Sequence, residues 1–358
     1  MDTQPPFAKS EDDTGVVKNA LLLGIDLGTS RSSIVSMRGS RKTIESYVGW
    51  PRDAVSQKLF NTDVVYGRAA LDNRLALDLY RPLEHGVIKG TGAGDKKKQD
   101  RNLEAAKLLL KHLVDEVEPG RDDVLYGVVG VPAQATVKNK QSIIDCAREV
   151  LDSVMVVSEP FSVAYGLGRI NETLVVDIGA GTTDLCRMHG TVPGDDDQLS
   201  YMIAGDAVDQ KLHDLIKAAY PEAQFTLNMC KQWKEQYGFV RDATDTIEVE
   251  MPVDGKPVQH DIAKQLSEAC HILIAPILEG IHKLVATHNP EFQERLRHNI
   301  ILSGGGGMLD GLTLKIQEGL DSVGGGHVTH VEEPMFAGAD GALQLAMDMP
   351  GDFWEQLR

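Results

Sequence analysis

Cysteine is scarce in this chain: four in 358 residues, none in a C-x-x-C pair, so neither a zinc-ligand spacing nor a dithiol redox motif is present. Cys146, Cys186, Cys230 and Cys270 read as reduced, buried thiols of a cytoplasmic protein. Positive charge is also short. Asp and Glu number 53 against 36 Lys and Arg, and the net charge of −17 excludes general nucleic-acid binding and direct adsorption to anionic lipid. No uninterrupted apolar run approaches the roughly 18 residues that span a bilayer. The opening residues, MDTQPPFAKSEDDTG, are acidic and polar rather than signal-like, and residues 1–18 read as a flexible tail. The two commonest phosphate cradles are missing too: there is no G-x-x-x-x-G-K-[ST] loop, and no G-x-G-x-x-G running from a strand into a helix. Nor is a Ser-His-Asp or Cys-His nucleophilic set readable.

What is present fits a globular α/β chain, 42% hydrophobic and long enough for two lobes. Leu21 to Ile25 and Ser32 to Met37 predict an antiparallel strand pair, with a third strand at Lys42 to Val48. Gly90 to Lys98 (GTGAGDKKK) predicts a solvated loop, and Leu103 to Val117 an amphipathic helix stopped by Pro119-Gly120. Val124 to Val131 is a buried-strand run, Asn139 to Leu151 a helix and Val154 to Val157 a short strand. Ser158-Glu159-Pro160 then starts a helix. Further helices are predicted at Ala207 to Ala219, Leu227 to Tyr237, Ala263 to Thr287 and Pro334 to Met347, with a hairpin turning at Asp254-Gly255.

Two stretches repeat one plan. LLLGIDLGTSRSSIVSM (21–37) and TLVVDIGAGTTDLCRM (173–188) each run from an aliphatic strand through Asp, an aliphatic residue and Gly into a small hydroxyl-bearing turn, then a second strand. Asp26 and Asp177 hold the same place in each. A carboxylate at the end of a buried strand is costly unless it is paired or serves a cation. The Gly-rich tips let backbone N–H groups approach an anion. Two such tips, one per lobe, predict a polyphosphate gripped from both sides, with Mg²⁺ held through its waters by Asp26 and Asp177. A third Gly-rich turn, ILSGGGGM (301–308), suits close approach to a nucleoside and its α-phosphate. Gly194-Asp195-Asp196-Asp197 reads as an exposed acidic loop, and His327 and His330 as surface histidines.

The ordered set GIDLGTS (24–30), VGVPAQAT with SEP (129–136, 158–160), VVDIGAGTTD (175–184), ILSGGGGM (301–308) and MFAGADGALQLA (335–346) resembles the five motifs of the actin, heat-shock chaperone and sugar kinase ATPases. Within that superfamily the spacing, together with VSEPFSVAYGL, GTVPG and KEQYGFV, is similar to MreB-type bacterial actins, especially their magnetosome-associated branch. The resemblance implies a bilobed α/β fold of two duplicated domains, each a mixed five-stranded sheet flanked by helices, with nucleotide between them. Domain I would span 19–158 with a small insertion at about 50–100 and be completed by 335–358; domain II would span 159–334 with an insertion at about 206–285. It further implies that Gly28, Thr29, Ser30, Gly179, Gly181 and Thr182 contact the β- and γ-phosphates, and that Gly304, Gly305 and Gly306 line the α-phosphate and base. By the same resemblance Lys234 and Glu235 face ribose and adenine, Asp26 and Asp177 serve the metal, and Glu159 orients or activates the attacking water. Gly338 and Gly341 would allow close helix packing at the hinge.

The implied activity is slow ATP hydrolysis that times filament assembly and disassembly. The implied partners are further copies of the chain and protein adaptors on magnetosomes, with no nucleic acid and no direct membrane insertion. Two departures stand out. Lys231 occupies the place, one turn before Lys234, where MreB-type actins often carry Glu. The acidic N-terminus offers no membrane-binding segment. A plasmid-segregation or cell-shape actin is the nearest alternative. A small-molecule kinase would be longer and carry an acceptor loop, and a chaperone-type ATPase would continue into a substrate-binding region.

Overall fold

The computed structural model describes residues 19–89 and 96–358. The predicted acidic tail and most of the Gly90–Lys98 loop lie outside them. Two five-stranded sheets dominate the molecule, and they share one topology. The first contains β1 (Ala20–Leu27), β2 (Arg31–Ser36), β3 (Arg41–Glu45), β4 (Val124–Val131) and β5 (Ser153–Ser158), in the order β5-β4-β1-β2-β3. The second contains β6 (Asn171–Ile178), β7 (Thr183–His189), β8 (Gln198–Tyr201), β9 (Ile300–Ser303) and β10 (Val328–His330), in the order β8-β7-β6-β9-β10. In each, a central strand starts an antiparallel three-stranded meander on one side and on the other pairs in parallel with one later strand, which pairs in parallel with a second. The repeated sequence plan is therefore a repeated sheet plan.

Alternation along the central strands sorts their side chains between two cores. Leu21, Leu23, Ile25 and Leu27 of β1 enter the core of the first lobe, and Leu174, Val176 and Ile178 of β6 enter that of the second. The opposite faces, with Leu22, Val128, Val175, Cys186, Met188 and Ile301, meet in a third core between the sheets. That core is completed by α2 (Glu159–Gly166) and α5 (Ala337–Asp348), which cross at glycine: a Cβ on Gly341 would stand 1.8 Å from the Ser162 carbonyl oxygen. Small residues are required there because backbone meets backbone.

Several boundaries differ from the sequence reading. The lysine run of the predicted loop opens the helix α1 (Lys96–Asp115), where successive polar side chains face solvent. The third strand ends at Glu45, and Val48–Pro51 starts a separate small sheet with Val65–Tyr66 and Leu77–Tyr80. The predicted Ala263–Thr287 helix is two, Ala263–His271 and Ile274–Ala286, parted just before Pro276, whose missing N–H cannot continue the ladder. Taken together, Ala263–Ala286 is long and apolar enough to cross a membrane by length and composition. Its Leu266, Cys270, Ile277, Ile281 and Leu284 are buried in the second lobe's core. The hairpin at Asp254-Gly255 forms as expected, both residues at positive φ. All four cysteines are free and buried.

Candidate functional site

The alternation that fills the cores also builds the site. On β1, Asp26 shares the parity of Leu22 and so faces the other lobe; on β6, Asp177 shares the parity of Val175. Each aspartate is the penultimate residue of its strand. Asp26 lies beside Gly130 of β4, and Asp177 beside Asp184 of β7 and Ser303 of β9. Glu159 opens α2 directly after β5, and its Cγ lies 3.2 Å from where a Cβ on Gly130 would stand. The glycine thus leaves room for Glu159 next to Asp26.

Asp184 is a fourth carboxylate in this group, which the motif reading quoted but gave no role. Its signal lay in the alternation Asp184, Cys186, Met188, which puts all three on the inter-lobe face. It accepts hydrogen bonds from the Ala133 N–H at 3.0 Å and from the Ser200 hydroxyl, tying the first lobe's Pro132–Ala133 turn to the second lobe's sheet.

Burial shifts all four acids upward. It lifts Asp26 to about 6. Asp177 rises to about 7, by burial first and then by the charges of Asp26 and Asp184, against the pull of the Ser303 hydroxyl. Glu159 is held well above the usual carboxylate range by burial and by Asp26, Asp184 and Asp177. Asp184 is raised by burial, partly offset by the Ser200 and Thr182 hydroxyls and the Ala133 amide. Such a group of desolvated, mutually repelling carboxylates matches a site for a cation or for proton transfer. Among the described residues no three His, Cys, Asp or Glu side chains converge closely enough to ligate a metal ion directly.

The two Gly-rich tips meet. A Cβ on Gly181 would stand 2.5 Å from Thr29 Oγ1. The turn of the Leu83–Glu84/Val87–Ile88 hairpin touches both tips: Gly86 N–H donates to Thr29 Oγ1 at 2.8 Å, and His85 Nδ1 donates to the Gly181 carbonyl at 2.7 Å. This His-Gly turn sits in a stretch where the sequence reading found no motif. Its mark was a histidine before glycine between two short apolar pairs; His85 is at φ +51°. Thr182 is buried at the second tip beside Asp184. Gly304 lies at φ +71°, and a Cβ there would fall 2.4 Å from Asp177 Oδ1, so the third Gly turn lies against the second aspartate. Gly306 packs on Ile178, while Gly305 has open space around it.

Across the cleft, α3 (Gly205–Ala219) and α4 (Leu227–Tyr237) face the first lobe. Arg81 donates through Nε to the Thr29 carbonyl at 2.8 Å and through Nη2 to both Asp206 oxygens at 2.9 and 2.7 Å. Glu235 pairs with Arg31 at 2.9 Å. Lys234 is tied to Asp209 at 2.6 Å and to the Gly205 carbonyl at 2.8 Å. Lys231, which stands where MreB-type actins often carry Glu, reaches the Ser30 hydroxyl. All three Gly-rich turns, both aspartates, Glu159 and α4 therefore border one cleft.

Comparison with known proteins agrees with this architecture. The sequence profile of the MreB/Mbl protein family matches residues 21–350. The actin-like protein MamK of Paramagnetospirillum magneticum (strain ATCC 700264 / AMB-1) is 41% identical over 343 residues, covering 96% of this chain and 97% of that protein. A solved MamK double helical filament superposes with a TM-score of 0.89 at 40% identity, covering 93% of this chain and 100% of that one. A non-polymerising MamK mutant bound to AMPPNP is matched at the same identity and coverage with a TM-score of 0.70. The cleft, its paired aspartate-tipped hairpins and the likeness along nearly the whole chain lead to one conclusion: this chain belongs to the MreB/Mbl family of actin-like proteins.

Proposed function

We propose that this chain is an ATP-dependent, filament-forming bacterial actin whose slow, Mg²⁺-dependent ATP hydrolysis controls filament turnover. The observation that carries the reading is the pair of matched hairpins, each ending in a desolvated aspartate, closing on one cleft. The MamK filament and the AMPPNP-bound MamK structure support assembly and nucleotide binding in relatives of this length and fold. In this reading the Gly28–Ser30 and Gly179–Thr182 tips hold the β- and γ-phosphates, Gly304–Gly306 the α-phosphate and base, and Lys234 and Glu235 border the ribose. Asp26 and Asp177 hold the water shell of the metal ion, which supplies charge neutralisation to the transferring phosphoryl group. Glu159, beside them and inclined to hold a proton, orients or deprotonates the attacking water.

Closure around the triphosphate links hydrolysis to assembly, because contacts to the γ-phosphate from both lobes exist only in the closed state. The filament would lie in the cytoplasm and organise magnetosomes through protein adaptors. The test is sedimentation at micromolar protein with ATP, with ADP and without nucleotide. The reading expects ATP-dependent pelleting followed by phosphate release and loss of the pellet. Equal sedimentation in all three conditions would overturn it.

A further inference from the structure

The three polar residues of α4 that face the cleft are not equally satisfied. Lys231, Lys234 and Glu235 share one helix face by their i, i+3, i+4 spacing. Lys234 is paired with Asp209 and Glu235 with Arg31. Lys231 is different. Among the described residues its ammonium has one hydrogen-bond partner, the neutral Ser30 hydroxyl, and no carboxylate within ion-pair distance. It is mostly desolvated, and that desolvation lowers its pKa. Glu235 and Asp209 act on it at longer range, opposed by the positive charges of Arg31 and Arg81. Lys231 is half-buried, and a partly desolvated ammonium without a counter-charge carries a cost that falls when an anion arrives. The element it already touches, the Gly28–Ser30 tip, is a Gly-containing turn suited to an anion.

We infer that Lys231 is a nucleotide-binding residue whose ammonium engages the polyphosphate of a nucleoside di- or triphosphate seated on the Gly28–Ser30 loop. The inference rests on the cleft being the nucleotide site proposed above. It assigns the charge reversal at this place, Lys where a Glu was expected, to the ligand rather than to the helix surface. It also links the lobes. Lys231 belongs to the second lobe and Ser30 to the first, so a phosphate bound between them adds a contact that holds the cleft closed.

The test is calorimetric titration of ATP, ADP and adenosine into wild-type protein, K231Q, K231M and K231R, each with Mg²⁺ and each checked by thermal melting. Losing one charge-assisted hydrogen bond predicts ATP and ADP affinities lower by about tenfold or more in K231Q and K231M. Adenosine affinity should be unchanged, and K231R should recover most of the loss. The affinity gap between wild type and K231Q should also shrink as salt rises. Equal ATP affinity in wild type and either neutral variant would overturn the inference. So would an equal loss for adenosine, which would place Lys231 against the nucleoside. Wild-type protein that binds no nucleotide is a separate result, and it overturns the reading of the cleft itself.

Discussion

At the scale of single residues, the cleft is governed by carboxylates that are expensive to ionise. Native Asp26 and Asp177 keep their protons to about pH 6 and about pH 7, whereas an unfolded aspartate releases its proton near 3.8. Between these limits the native state binds more protons than the unfolded one, so their contribution to stability is greatest below the unfolded value and is lost as pH rises through 6 and 7. In buffer free of nucleotide and divalent cation, the melting temperature of wild type relative to Asp177→Asn should therefore fall from pH 5 to pH 8. A difference that is flat across that range would show that Asp177 is not desolvated in the native protein. Glu159 yields a second test. If it handles the attacking water, Glu159→Ala keeps ATP binding and pelleting but slows phosphate release by about 100-fold, the usual scale of general-base help. Phosphate release at the wild-type rate would remove Glu159 from the chemistry.

Among the elements, the decisive contact is the crossing of α2 and α5. Both helices are short and rich in small residues, and both lie in the core that the two sheets share. The missing side chain of Gly341 is what permits the crossing, since any Cβ would collide with the Ser162 carbonyl. Backbone cannot yield as a flexible side chain can. Gly341→Ala should cost about 1–3 kcal/mol or more through overpacking, read as a lower urea midpoint. An unchanged midpoint would mean that the helices separate without penalty. Among the described residues the α2–α5 pair lies in the core that both sheets share, and we expect it to serve as the pivot for opening and closing.

Across the whole molecule, the lobes are held together on the open side of the cleft by charge. Arg31–Glu235 is substantially exposed on both sides, and pairs of that kind contribute about 0–1 kcal/mol. Arg81 is better placed: it grips both oxygens of Asp206 in the second lobe while binding the Thr29 carbonyl in the first. A charge-assisted contact made by a less exposed guanidinium that also binds the other lobe is the stronger case. Arg81→Ala should therefore raise the protein concentration needed for ATP-dependent pelleting by several-fold, and Arg31→Ala much less. Equal effects of the two would show that closure does not depend on the Arg81 bridge between Thr29 and Asp206.

Much of this was legible in order along the chain. Alternation gave the strands, and repetition of the Asp-aliphatic-Gly plan gave the two lobes and both aspartates. Glycine runs gave the three turns, because those features are written locally in residue type and period. Other parts were not legible. Asp184 joined the carboxylate group because strand pairing set it beside Asp177, and His85 reached Gly181 because a hairpin nearly 100 residues upstream folds over the second tip. The choice of Lys231 over Lys234 as the cation facing the Gly28–Ser30 tip depended on which of two neighbouring lysines Asp209 claims. Sequence by itself determined what each segment is, since local backbone preference and side-chain period act over a few residues. Tertiary structure decided which charges face one another, since Coulomb forces and desolvation depend on distance and burial that no local pattern records.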